Sequence, residues 1–161
     1  MKTKILPNIF VSVGVILAVL GPPAAELARA GGSPPGGVNQ TFTITNSCSF
    51  DVQVTFTGRA GTIALPDGGF IFTSPGLYGT FTNLSDPTKS VTLNLTGSAH
   101  VSFDANGNAI FRGTGRGIAF SPSVGLLLLI GDFTLVFDSN GNLIQGPTGN
   151  GQITSICDLI N

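Results

Sequence analysis

The phrase Phe-Asp-x-Asn-Gly-Asn-x-Ile occurs twice, as Phe103–Ile110 and as Phe137–Ile144. Each copy sets an Asn-Gly pair between apolar residues, and that pair is the strongest short-range signal for a β-hairpin. A three-residue loop with glycine in the left-handed position places Asp104 opposite Asn108 and Asp138 opposite Asn142. Counting outward, Gly97 meets Gly115 and Gly131 meets Gly149. A turn centred on Ser123 sets Gly115 against Gly131, and one centred on Thr88 sets Gly79 against Gly97. Five glycines then align across five adjacent antiparallel strands.

Glycine inside a strand weakens it and marks a bend or the close approach of another group. A row of them predicts strands of about 14–16 residues, against a usual 5–6, that bend at mid-length. The expected fold is therefore all-β, an antiparallel up-and-down meander closing into a barrel of about 8 strands. A two-layer β-sandwich whose strands break at the glycines is the alternative. The run Lys89–Asp104 carries the cleanest period-2 pattern, with Val91, Leu93, Leu95, Ala99, Val101 and Phe103 on one face. Outside the N-terminal region, only Ser155–Asn161 has room for a helical turn.

Residues 1–30 have the form of a signal peptide. Lys2 and Lys4 precede the uncharged run Ile9–Leu20, Gly21-Pro22-Pro23 breaks it, and Ala28-Arg29-Ala30 is an A-x-A cleavage site. The run is shorter than the roughly 20 apolar residues a spanning helix needs, which disfavours an uncleaved anchor. Residues 31–38 are a Gly/Pro-rich linker, expected to be disordered, and 39–161 a single domain. After cleavage the cations are Arg59, Lys89, Arg112 and Arg116, against seven aspartates. That balance argues against nucleic acid and against an anionic membrane surface, so the membrane enters only during export.

Cys48 and Cys157 are the only cysteines. In an exported protein they read as a disulfide tying the first strand to the last, with free thiols or an intermolecular bridge as alternatives. They are too isolated for a zinc site.

Among residues with chemistry, the Asp-x-Asn-x-Asn of each repeat imitates the start of a calcium loop, but the glycine at the sixth position and the glutamate at the twelfth are missing. Turn chemistry explains the phrase without metal. His100 lies on the polar face of its strand with no nearby acid, so it reads as idle rather than catalytic. Asp132 falls diagonally between Arg112 and Arg116, which suits a surface ion pair or an anion site. Asn39, Asn83 and Asn94 head formal glycosylation sequons. Large residues at both ends of the inner face, with glycine between, leave either a waist cavity or a filled core. Leu93, Leu95, Phe111, Leu129 and Phe133 are the candidate interior residues for an apolar small molecule. On the opposite face Ile118, Phe120, Leu126 and Leu128 form an apolar patch, either covered by a terminal segment or making a dimer contact. The chain is accordingly read as a monomer or a homodimer.

Thr45–Phe50, Ser90–Gly97 and Phe137–Leu143 resemble segments of uncharacterised small exported proteins of actinomycetes and related bacteria. The resemblance implies export and a Cys48–Cys157 bridge, and no activity. At fold level the layout is similar to lipocalin and allene-oxide-cyclase-like barrels. The expected function is a secreted, non-enzymatic β-barrel that binds an apolar small molecule or acts at the cell surface, without cofactor or metal. The alternatives are an interaction protein assembling through the Ile118–Leu128 face, and a barrel isomerase or cyclase using Arg112, Arg116 or Tyr78.

Overall fold

A computed structural model describes residues 34–161, so the segment read as a signal peptide and the start of the one read as a linker lie outside the described residues. Nine strands and one short helix follow: β1 (Gly36–Ile44), β2 (Val52–Ala64), β3 (Phe70–Thr73), β4 (Tyr78–Asn83), β5 (Ser90–Asn94), β6 (Gly97–Phe103), β7 (Ala109–Ser121), β8 (Gly125–Phe137), β9 (Leu143–Ser155) and α1 (Ile156–Leu159). β1 starts inside the segment read as linker. Gly36 and Gly37 are paired with Ala60 and Arg59, and the Arg59 guanidinium donates to the Pro35 carbonyl.

Every pairing is antiparallel, in the order β5-β4-β2-β3-β6-β7-β8-β9, with β1 on β2. The all-β meander is as expected. No hydrogen-bonded ladder among the described residues joins the two ends of this order, so the sheet is open in its backbone pairing.

Both repeat phrases form the expected hairpins. Asp104 N donates to Asn108 O at 3.0 Å and Asp138 N to Asn142 O at 2.9 Å, with Gly107 and Gly141 at φ 79° and 81°. The register runs outward as counted: Gly97 pairs with Gly115, and Gly115 with Gly131. The Ser123 turn also sits where expected, Ser121 pairing with Gly125.

Two ends of the glycine row differ. Gly131 pairs with Gly151, while Gly149 faces Phe133. The ladder slips between Thr134 and Val136 and again before Phe137. Gly146-Pro147 bulges opposite Leu135, where Gly146 takes φ +104° and proline has no amide to donate. At the other end the hairpin centres on Asp86 rather than Thr88: Asn83 Oδ1 accepts from the amides of Ser85 and Asp86, and the Asp86 carboxylate from the amide and hydroxyl of Thr88, which fixes the turn there. Gly79 therefore pairs with Leu93.

The Lys89–Asp104 run is also broken into β5 and β6. β4 and β3 lie along successive segments of β2, β5 lies on β4, and β6 on β3. The interruptions at Ser74–Leu77 and Leu95–Thr96 coincide with the glycine row, so the sheet bends there. Ser74 holds the bend: its hydroxyl donates to Leu95 O at 2.8 Å and accepts from Gly97 N at 3.1 Å. Among the described residues no buried side-chain polar atom lacks a partner.

The main core unites Ile44, Val52, Val54, Phe56, Leu77, Phe81 and Leu95 with Phe120, Leu126, Leu128, Ile156 and Ile160. A second cluster, Ala119, Leu129, Phe133, Leu135 and Phe137, covers the opposite face of β7 and β8. The hairpin β7–β8 is thus apolar on both faces because both are covered. Of the two readings of the patch, the covered one fits rather than the dimer contact: Phe120, Leu126 and Leu128 are 8%, 0% and 7% exposed, and Ile118 is packed against the same cluster. Burying each such side chain stabilises the fold by roughly 1.5–3 kcal/mol, so the covered arrangement wins over an exposed one. The cover includes α1, which the Cys48–Cys157 disulfide (Cα–Cα 5.6 Å) ties to the β1–β2 connection. The bridge therefore joins loop to helix rather than strand to strand.

Candidate functional site: an apolar cavity at the bend

Where the two core clusters meet, the bend leaves a partly enclosed cavity of about 140 Å³. Its floor is a cross-strand row: Phe72 opposes Ala99, Ala99 opposes Gly113, and Gly113 opposes Phe133. Two small residues between two phenylalanines form a slot. From the next row along the strands Phe70, Phe111 and Leu135 close one end, and Gly97, Gly115 and Gly131 form the other. Phe56, Leu77, Leu95, Ile118 and Leu129 add apolar lining, and Ser74, Ser98, Thr114, Arg116 and Gly117 contribute the rest.

The glycines are needed at that end for backbone reasons. Gly131 takes φ +134° and lies so close to Asn150 O that a Cβ there would collide with it. Gly115, at φ +87°, lies in the left-handed region, and an added Cβ would press on Gly97 Cα and Thr96 O at 3.0 Å. The missing side chains thin the wall where the strands bend, so the cavity and the bend have one cause.

Of the five candidate interior residues, Leu95, Phe111, Leu129 and Phe133 line the cavity. Leu93 does not; it packs against the main core from β5. The sequence reading missed Phe56, Phe70, Phe72, Ala99 and Gly113. The alternation Phe70-Ile71-Phe72 carried the signal, but placing it needed the β3–β6 register, which no turn motif supplies. Ile153 on the same strand face as Leu129 is 48% exposed, because β9 is an edge strand with no neighbour beyond it among the described residues.

Chemically the cavity is bland. Ser74 has spent its hydroxyl on the bend, and the Ser98 and Thr114 hydroxyls bond each other at 3.0 Å. Among the described residues Arg116 is the one charged residue that contributes to the wall. Such a site gains affinity from apolar contact and shape, with little directional bonding.

The other sequence candidates separate clearly. In the two repeat turns the carboxylate is occupied by its own loop: Asp104 Oδ1 accepts from the amides of Asn106 and Asn108, and Oδ2 from the Asn108 side chain. Asp138 repeats this with Asn140 and Asn142. These bonds, the Asn contacts first, hold both carboxyls below the usual aspartate range. Asp132 does face Thr114, yet it, Arg112 and Arg116 are all exposed and none donates or accepts a side-chain hydrogen bond among the described residues. His100 lies between Ile71 and Arg112 on its neighbouring strands. Asn83 is buried, so its sequon is closed, whereas Asn39 is exposed.

No family model matches this chain, and no curated protein or solved structure matches it either.

Proposed function

We propose that this chain is an exported carrier that holds one small apolar molecule in the cavity at the bend of its sheet. The observation that carries the reading is the slot of Ala99 and Gly113 between Phe72 and Phe133. Its volume of about 140 Å³ is close to that of an engineered apolar cavity, about 150 Å³, that stays dry and takes benzene or xenon. The occupant is then of single-ring size, well short of a long-chain lipid. In this reading the bent sheet works as an incompletely closed barrel whose mouth is the open side of the cavity. Export is supported by the form of residues 1–30 and by a disulfide, which persists in oxidising compartments. Among the described residues no helix is long and apolar enough to cross a membrane, which is compatible with that reading.

Native mass spectrometry of protein purified from its own host reads the occupant directly, as a retained mass. In parallel, benzene is titrated into the protein and followed by amide chemical shifts. Shifts are expected at Ala99 and Gly113. Gly113→Leu, which fills a slot with nothing nearer than 3.9 Å to an added Cβ, removes them. A wild-type protein with no retained mass and no response to benzene sinks the proposal.

A further inference from the structure

The outer face of β1, β2, β4 and β5 carries a regular grid of hydroxyl groups. The tripeptide Thr-Phe-Thr occurs three times, at 41–43, 55–57 and 80–82. Strand alternation turns each phenylalanine into the main core and both threonines outward. The register then aligns them. Thr41 opposes Thr55, Thr55 opposes Thr80, and Thr80 opposes Thr92, one threonine from each of four strands. Two residues along, Thr43, Gln53, Thr82 and Ser90 make a second row, and Asn39, Thr57, Tyr78 and Asn94 a third.

These three ladders run without a register shift, unlike the β8–β9 ladder. Hydroxyls meet across the strands, Thr41 with Thr55 at 2.9 Å, Thr80 with Thr92 at 2.8 Å, and Thr82 with Ser90 at 2.9 Å. Neighbouring strands lie about 4.8 Å apart and alternate residues about 6.6–6.8 Å apart along each strand, so the groups repeat in two dimensions. Not one of the three rows holds a charge. The outer face of the other half of the sheet, by contrast, carries Arg112, Arg116 and Asp132.

We propose that this grid binds ice. A charged side chain keeps its own strongly held water, whereas threonine sets a methyl beside each hydroxyl and lets neighbouring water adopt an ordered arrangement anchored at the hydroxyls. A neutral surface that repeats in two dimensions fits a neutral partner that also repeats, and the inter-strand spacing is close to an oxygen repeat of hexagonal ice. The other periodic neutral partner is a crystalline polysaccharide, whose sugar rings stack on aromatic platforms. Tyr78 is the only aromatic residue of the grid, and the chain has no tryptophan. This inference is independent of the cavity and its ligand.

The test uses the exported, disulfide-bonded protein. Thermal hysteresis and inhibition of ice recrystallisation are measured in a nanolitre osmometer and in a frozen film. The wild type is expected to hold a faceted crystal below its melting point and to suppress grain growth. Thr80→Lys, at the centre of the grid, should reduce both to the level of buffer, while Thr148→Lys, exposed on β9 and outside it, leaves them unchanged. If Thr80→Lys does not fold by circular dichroism, the double variant Thr41→Lys/Thr92→Lys, at two exposed marginal positions, replaces it with the same expected loss. Wild-type protein that behaves as buffer overturns the proposal. So does full activity in the folded grid variants, or retention on cellulose or chitin without an effect on ice.

Discussion

The side-chain amide of Asn83 donates to the carbonyl oxygen of Ile160 at 3.0 Å, bonding the β4–β5 turn to the end of the chain. The same side chain accepts from the amides of Ser85 and Asp86 at 2.8 and 3.2 Å. One buried residue thus closes a turn and seats the segment that covers Leu126 and Leu128. Asn83→Ala leaves the Ile160 carbonyl and two turn amides without their partner. A loss of about 1–3 kcal/mol is expected in urea unfolding, and a loss below about 0.5 kcal/mol would show that water replaces the amide.

The disulfide acts on the same segment from the other side. Cys48 and Cys157 are separated by 109 positions, and on the chain-entropy model a loop of that size contributes roughly 4–5 kcal/mol. Reduction should lower the urea midpoint strongly and free α1 first. Hydrogen exchange of the Ile156–Ile160 amides then rises before that of β2. Uniform exchange across the molecule would refute local release.

The glycine row distinguishes bend from filler. Gly151 takes φ +152°, and a Cβ there would collide with Ile130 O. Gly151→Ala is expected to lower Tm by several degrees, as strained positions do. Gly117 has an ordinary φ and open space around an added Cβ. Gly117→Ala should be neutral or stabilising by up to about 1 kcal/mol. Equal effects at both positions would remove the backbone account of the bend.

Acid stability follows from the repeat turns. Asp104 and Asp138 are held below their ordinary value of 3.8 by the bonds from Asn108 and Asn142, and Asp86 is held below it by Thr88. A depressed folded-state value means that their contribution is fully present above the unfolded value. It is lost as pH falls through the lower, folded value. Tm should therefore be flat above about pH 5 and fall below the ordinary carboxylate range. Asp104→Asn/Asp138→Asn should lower Tm at neutral pH and flatten that fall; an unchanged slope would assign acid sensitivity elsewhere.

The turn chemistry was legible because it is local. Asp104 and Asn108, or Asp138 and Asn142, meet within a single loop, so their residue types alone specify the hairpin. The count outward from them stays correct through Gly97, Gly115 and Gly131. It fails at Gly149, where the bulge at Gly146-Pro147 shifts the partner to Gly151. Parity gave a similar half-answer: it separated Leu129 and Phe133 from Leu126 and Leu128, and it could not say that both sides are buried.

The hairpins, the meander and the alignment of three glycines follow from residue order alone, since each rests on short-range backbone geometry propagated along a ladder. Residue order also held the cysteine pair and four of the cavity-lining residues. The slips in the ladders, the cover of the Phe120–Leu128 face by α1 and the first strands, and the meeting of Phe72, Ala99, Gly113 and Phe133 in one slot arise in the assembled fold. Those outcomes depend on contacts between distant segments, and the free energy of burying two apolar faces is set by what packs against them.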